Sequence, residues 1–257
     1  MITARISAIA GNTVREAVRN KLLYTLLFFA VAVIGCAVLV ASLSYVEGNR
    51  IIQDVGLAAI RLFSLGIAVF VGIGLIHNEV ERRTIQTILS KPVSRAEFLL
   101  GKYLGLLATV WLQVAIMGVA FVIVSLASGA PLGAGVAWAL LLFCMELAVI
   151  VAVATLFSSF TTPLLASLFT VGIWVVGHLT RDLLALGKQA DQESVQWVTA
   201  FLYRVLPDLE AFNLTIEAVH GLPIESGEVV WPMLLGIGYS AVLLIVAIQV
   251  FQKRDMK

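Results

Sequence analysis

Charge is scarce in this chain. Only 13% of its 257 residues are Asp, Glu, Lys or Arg, and 60% are hydrophobic. Soluble domains carry roughly 25% charged and 45–50% apolar residues. Charge at half that density cannot cover a water-facing surface, so lipid must solvate much of the molecule. Cysteine is also sparse. Cys36 and Cys144 both fall inside apolar runs, which argues against a disulfide framework. The three histidines, His77, His178 and His220, are scattered and form no Ser/His/Asp or His/Glu constellation. Consecutive helical residues point in different directions, so Cys144-Met145-Glu146 is not expected to hold a metal. A net charge of +1 offers no reason to expect nucleic-acid binding. The chain also has no phosphate-binding G-x-x-x-x-G-K-[ST] loop, since Gly101-Lys102 is followed by Tyr103 and lacks the upstream glycine.

Long apolar runs are abundant. A membrane helix needs roughly 20 mainly apolar residues, and six runs qualify: 22–43, 55–76, 104–126, 136–157, 164–180 and 229–251. The first is too long for a signal-peptide core of about 7–15 residues and reads as a retained helix. Ser128-Gly129-Ala130-Pro131 separates the third run from the fourth. Thr162 with Pro163 is a cap-and-start signal for the fifth. Backbone exposed to lipid must satisfy its own hydrogen bonds, so runs of this length are helices. The chain is therefore expected to be an all-α polytopic membrane protein of six spans. Lys and Arg concentrate at 5–21, 82–102 and 253–257, whereas the opposite flanks hold only Arg50, Arg181, Lys188 and Arg204. The positive-inside rule puts the basic flanks, and both termini, in the cytoplasm.

Three segments lie outside the spans. Along 1–20, Arg5, Asn12, Arg15, Glu16 and Arg19 share one helical arc, with Ile2, Ile6, Ile9, Thr13 and Ala17 opposite. This is the pattern of an amphipathic helix in the headgroup plane, with Arg5, Arg15 and Arg19 as its basic face. It serves either as an orientation anchor alone or with an added docking role. The elbow at 78–101 combines a Glu79–Arg83 i,i+4 pair, a break at Pro92 and a Ser94-x-x-Glu97 capping box that restarts a helix into span three. Such an elbow is either a rigid receiver of force from a partner or only a positive stop signal. In the outer loop, 181–228, Val195, Val198, Leu202 and Val205 recur at helical spacing up to Pro207. A second short helix is expected over 213–220, ended by Gly221. These helices are expected to lie on or dip into the outer face as a cap, rather than to form a substrate-binding domain.

Arg61 and Glu146 are the only formal charges well inside the runs. A charge at a helix centre costs about 2.5–3.5 kcal/mol on insertion scales. At 1.5 Å per residue they lie about 9 Å and about 15 Å below the outer ends of their spans, within an arginine's reach of each other. One expectation is a buried pair that locks helix register or gates a cavity. The other is that Arg61 snorkels outward and Glu146 is protonated or hydrogen-bonded.

The six spans, the basic N-terminus and the elbow resemble the ABC-2 type permeases, the membrane subunits of one class of ATP-binding-cassette exporter. The resemblance rests on Glu79-Val-Glu81, Thr84, Leu89-Ser90-Lys91-Pro92-Val93-Ser94-Arg95, Gly101-Lys102 and the Leu206-Pro207-Asp208-Leu209-Glu210 segment before span six. Arg83 departs from the small residue that many relatives carry before the Thr. The branch most resembled includes permeases linked to copper-enzyme maturation. The resemblance implies a permease without enzymatic activity of its own, acting as a dimer with a second copy or a paralogue in a bacterial-type plasma membrane. Cytoplasmic ABC ATPase subunits would bind the ATP and Mg; no cofactor is implied in this chain. It also implies that Glu79, Glu81, Arg82, Arg83, Thr84, Pro92, Val93, Ser94 and Arg95 form a coupling helix that docks on the ATPase. Two other classes remain open: an ATP-independent secondary transporter or membrane scaffold, and an intramembrane enzyme. The latter would need paired catalytic groups at one depth.

The topology has a direct test. Cysteines introduced singly at Lys91 and Arg95 are expected to be shielded from a membrane-impermeant thiol reagent in intact cells and labelled after permeabilisation. Labelling from outside would reverse the topology.

Overall fold

The computed structural model describes residues 2–44, 47–74, 94–190 and 192–253. They form α1 (Ile2–Val18), α2 (Lys21–Ala41), α3 (Gly48–Gly66, continued through a π-turn at Ile67–Val71), α4 (Arg95–Ala127), α5 (Gly135–Ser158), α6 (Pro163–Gln189), α7 (Glu193–Val205), a 3₁₀ turn (Leu209–Phe212), α8 (Thr215–His220) and α9 (Ser226–Lys253). No strand occurs among the described residues. Six helices, α2 to α6 and α9, are long and apolar enough to cross a membrane.

Local chemistry sets the boundaries. Asn20 accepts a hydrogen bond from the Leu22 N–H at 3.0 Å and caps α2. Ser94 Oγ accepts from the Glu97 N–H at 3.1 Å, while Glu97 accepts from the Ser94 N–H at 2.8 Å. This reciprocal capping box satisfies two otherwise orphaned donors at the start of α4. Pro163 opens α6, where its missing N–H costs nothing. Gly221, at φ 65°, ends α8 in the left-handed region.

Several helices outrun their apolar stretches. α3 begins at Gly48, α4 at Arg95 and α6 runs to Gln189, whereas the corresponding apolar runs start at 55 and 104 and stop at 180. Hydropathy marks where a helix meets hydrocarbon. The hydrogen-bond ladder continues into polar surroundings as long as caps and packing support it.

α5 occupies the centre and touches the π-turn of α3 as well as α4, α6, α8 and α9. Its most apolar stretch is 67% buried, as is that of α3, against 22% for α2 and α6. The latter two are therefore peripheral. α1 packs along α4. Thr13 and Ala17 are buried there, while Arg15 and Arg19 remain exposed, so the expected apolar arc of α1 is turned onto a protein neighbour. The approach is close: a Cβ on Gly101 would meet Ile9 at 2.7 Å, and one on Gly105 would meet Thr13 at 2.6 Å and the Ala10 carbonyl at 2.7 Å. Two ion pairs flank this seam, Arg5–Glu97 at 3.8 Å and Glu16–Lys102 at 3.4 Å. Lys102 is only 1% exposed.

At the other end of the bundle the chain folds back between α6 and α9. α7 lies along α6, and the 3₁₀ turn that follows drives Leu209 and Phe212 into the core, 0% and 1% exposed. Each enters a glycine notch. A Cβ on Gly177 of α6 would meet Leu209 at 2.7 Å, and one on Gly236 of α9 would meet Phe212 at 3.1 Å. Small residues allow such approach where packing, not water exclusion, holds membrane helices together.

The α1–α4 seam predicts a sharp penalty for bulk. Gly105→Val is expected to dislodge α1 and cost about 1–3 kcal/mol through overpacking. It would be read as a lower melting midpoint in detergent and new protease cleavage within 2–20. A cleavage pattern like the parent's would rule out this packing.

Candidate functional site

A charged cluster sits where α3, α5 and α6 meet. Each contributing residue lies about half-way along its helix. Arg61 is 13 residues from the start of α3, Glu146 is 11 from the start of α5, and His178 is 11 from the end of α6 (61−48, 146−135 and 189−178). At 1.5 Å per residue these are depths of about 20, 16 and 16 Å from the same end of the bundle. Three ionisable side chains thus share one level of the bundle.

The structure brings Arg61 and Glu146 together. Arg61 donates from Nη2 at 3.0 Å and from Nε at 3.2 Å to Glu146 Oε2. The other carboxylate oxygen, Oε1, accepts from Trp174 Nε1 at 2.8 Å and lies 3.4 Å from His178 Nε2. His178 Nδ1 stands 2.8 Å from the Trp174 carbonyl four residues back. A carbonyl only accepts, so Nδ1 carries the hydrogen, and in the neutral ring Nε2 is then an acceptor. The Arg61 Nη2 hydrogen-bonds to that Nε2. The Phe143 ring lies 5.3 Å from the guanidinium carbon, within cation–π range. Glu146 is buried, its side chain 3% exposed, and the Arg61 side chain is 17% exposed.

This arrangement answers the cost of a mid-helix charge. An isolated carboxylate in an apolar interior is heavily penalised. Here both oxygens are hydrogen-bonded and the counter-charge is in contact. Such a pair gives little net stability over a packed apolar substitute, yet removing one partner strands the other at a cost of about 3–5 kcal/mol. With both oxygens engaged, Glu146 is poorly suited to act as a general base. Among the described residues no three His, Cys, Asp or Glu side chains converge to hold a metal.

The fold also shapes the surroundings. Gly177, next to His178, receives Leu209, and Arg181 one turn further along α6 pairs with Asp208 at 2.7 Å. The re-entrant segment 206–212 therefore seats directly on the stretch of α6 that carries the cluster. The π-turn Ile67–Val71 begins six residues beyond Arg61 (67−61); π-turns often accompany functional positions in helices.

Sequence reasoning singled out Arg61 and Glu146 but passed over Trp174 and His178. Counting span five only to 180 set His178 near an outer boundary, when the helix continues to Gln189. Its signal was the Trp174–His178 i,i+4 spacing, which aligns an indole and an imidazole on one face; their ring centroids lie 4.7 Å apart.

At the opposite end lies the start of α4, the described part of the elbow. Glu79, Glu81, Arg82, Arg83, Thr84, Pro92 and Val93 fall outside the described residues. Ser94 is the cap of α4. Arg95 donates from Nη1 to the carbonyls of Phe251 at 3.2 Å and Gln252 at 2.8 Å, and Phe98 stacks on Phe251 at 6.3 Å. A guanidinium on the last carbonyls of a helix is favourable to both. It joins the start of α4 to the end of α9.

The family model for ABC-2 family transporter proteins matches residues 7–256. The chain belongs to that family. Comparison with curated proteins finds no match. The match covers all six long helices, so this ABC-2 protein is a multi-pass membrane protein of transmembrane transport, in the class of ABC transporter permeases. It is to the family as a whole and assigns no branch. The permease's charged cluster lies within the matched residues, as do the contacts of Gly101 with Ile9 and of Gly105 with Ala10 and Thr13.

A double-variant cycle tests the pair. Arg61→Leu and Glu146→Gln are each expected to lower stability in detergent by about 3–5 kcal/mol, with the double variant recovering at least half of the larger loss. Losses that simply add, leaving the double variant less stable than either single one by the other's full penalty, would show that the two residues act independently.

Proposed function

We propose that this ABC-2 protein is the membrane subunit of an exporter driven by a separate cytoplasmic ATPase. In this reading two permease chains, identical or paralogous, enclose the pathway, and two ATPase chains bind ATP and Mg. The Lys- and Arg-rich end, with both termini and the elbow, faces the cytoplasm. The end with α7, the 3₁₀ turn and α8 faces outward.

One observation carries the coupling role. The elbow leads into a helix mounted at three points: the Ser94–Glu97 capping box, the Arg95 contacts with the last carbonyls of α9, and the α1 seam at Gly101 and Gly105. A segment anchored in this way transmits a displacement at its N-terminus along 33 residues of α4 and across to α9. A simple stop signal needs only the charge. The family match and the absence of a phosphate-binding loop in the sequence both support a motor on another chain.

Two sets of variants separate docking from mounting. Purification in mild detergent is expected to yield a nucleotide-hydrolysing partner in stoichiometric amount. Arg82→Ala with Arg83→Ala should release that partner while leaving the permease's melting midpoint unchanged. Arg95→Ala should retain it and lower the midpoint, because the end of α9 loses its cap. Transport that follows an ion gradient with no ATPase present would overturn the proposal in favour of a secondary transporter.

A further inference from the structure

We propose that the open edge of the Arg61 guanidinium binds the anionic headgroup of an amphiphile, a carboxylate or phosphate on an apolar body; this rests on the transport reading above and names its substrate class. A guanidinium has five N–H donors. Nε and Nη2 of Arg61 are directed at Glu146 and His178. Nη1 has no hydrogen-bond partner among the described residues, and it is absent from the enclosed polar atoms that lack one. It is therefore reachable from outside the packed core. Two charged N–H donors half-way along an apolar helix are strongly disfavoured unless an acceptor meets them.

The setting defines that acceptor. α3 is one of the two most buried long helices, with only a narrow open stripe past Asp54, Ala58, Leu62 and Phe70. Arg61 lies on the edge of that stripe. Asp54 is two turns away, about 10 Å along the axis, too far for direct pairing. Leu62 and Phe70 are 60% and 58% exposed, so the stripe around Arg61 is apolar. A ligand that satisfies Nη1 here carries oxygen acceptors on an apolar body. An anionic oxygen is preferred over a neutral one because charge-assisted hydrogen bonds to a guanidinium are about twice as strong. Phe143 under the guanidinium and the fork of bonds to Glu146 hold the free edge in one orientation, so little ordering is required when a ligand arrives.

The test uses the purified permease with its co-purifying ATPase in nanodiscs and four spin-labelled probes of equal chain length: stearic acid, phosphatidic acid, phosphatidylcholine and stearylamine. The motionally restricted fraction of the acidic probes is expected to exceed that of the other two. Preference for stearate assigns the site to a carboxylate, and preference for phosphatidic acid assigns it to a phosphate monoester. Arg61→Gln with Glu146→Gln, which strands no carboxylate, should reduce the acidic preference about tenfold. Arg61→Lys keeps an ion pair with Glu146 but lacks the second edge of the fork; it should lose the same preference while staying folded. Equal retention of all four probes, or an acidic preference that survives both substitutions, overturns the headgroup assignment. ATP hydrolysis in the same nanodiscs reports on the exporter reading separately. Hydrolysis with equal probe retention removes only the headgroup proposal, and acidic retention with no associated ATPase removes only the exporter reading.

Discussion

Hydrocarbon leaves a polar group no solvent to fall back on, and the interior of this protein is organised around that constraint. It is most severe at Glu146, a carboxylate at the centre of one of the two most enclosed helices. Its two oxygens need donors at the same depth, which can come only from neighbouring helices: Arg61 on α3 and Trp174 on α6. Satisfying one side chain thus sets the axial register of three helices. A slide of α3 by a single turn, about 5.4 Å, would move the guanidinium out of contact. The pair contributes specificity of packing more than net stability, and it leaves a charged edge of Arg61 directed at the open stripe of α3.

The remaining packing depends on small residues and shape. Water drives no association between apolar helices already in lipid. Close contact instead occurs where a side chain is missing. Gly101 and Gly105 admit α1, and Gly177 and Gly236 admit Leu209 and Phe212. One notch lies toward the start of α4 and the other beside the mid-depth cluster, and they have different consequences. One anchors a terminal helix to the segment that enters span three. The other anchors a re-entrant turn against the helix that bears His178.

Ion pairs at the ends play a subordinate part. Arg5–Glu97 and Glu16–Lys102 orient α1, but exposed or half-exposed pairs are worth about 0–1 kcal/mol each. Lys102 is the exception in burial, enclosed beside the glycine seam. The Arg95 contacts with the end of α9 are of another kind. They satisfy carbonyls that the last turn of a helix leaves without partners, so a residue at the elbow is bonded to the last span of the bundle.

The amino-acid order alone determined the six long apolar helices, and where helices start or stop at Ser94, Pro163 and Gly221. Each of these is set within a few residues, by apolar length, capping groups or a backbone angle that only glycine adopts cheaply. It also isolated Arg61 and Glu146, because charge is conspicuous in a run without charge. Tertiary structure decided that the two meet, that Trp174 and His178 complete the cluster, that α1 packs on α4, and that Leu209 and Phe212 re-enter the core. Those outcomes depend on how far each helix extends beyond its apolar run and on which faces the neighbours present. Hydropathy does not encode either, because a helix continues past the hydrocarbon boundary without changing its hydrogen bonds, and two distant segments share a depth only once the whole bundle has closed around them.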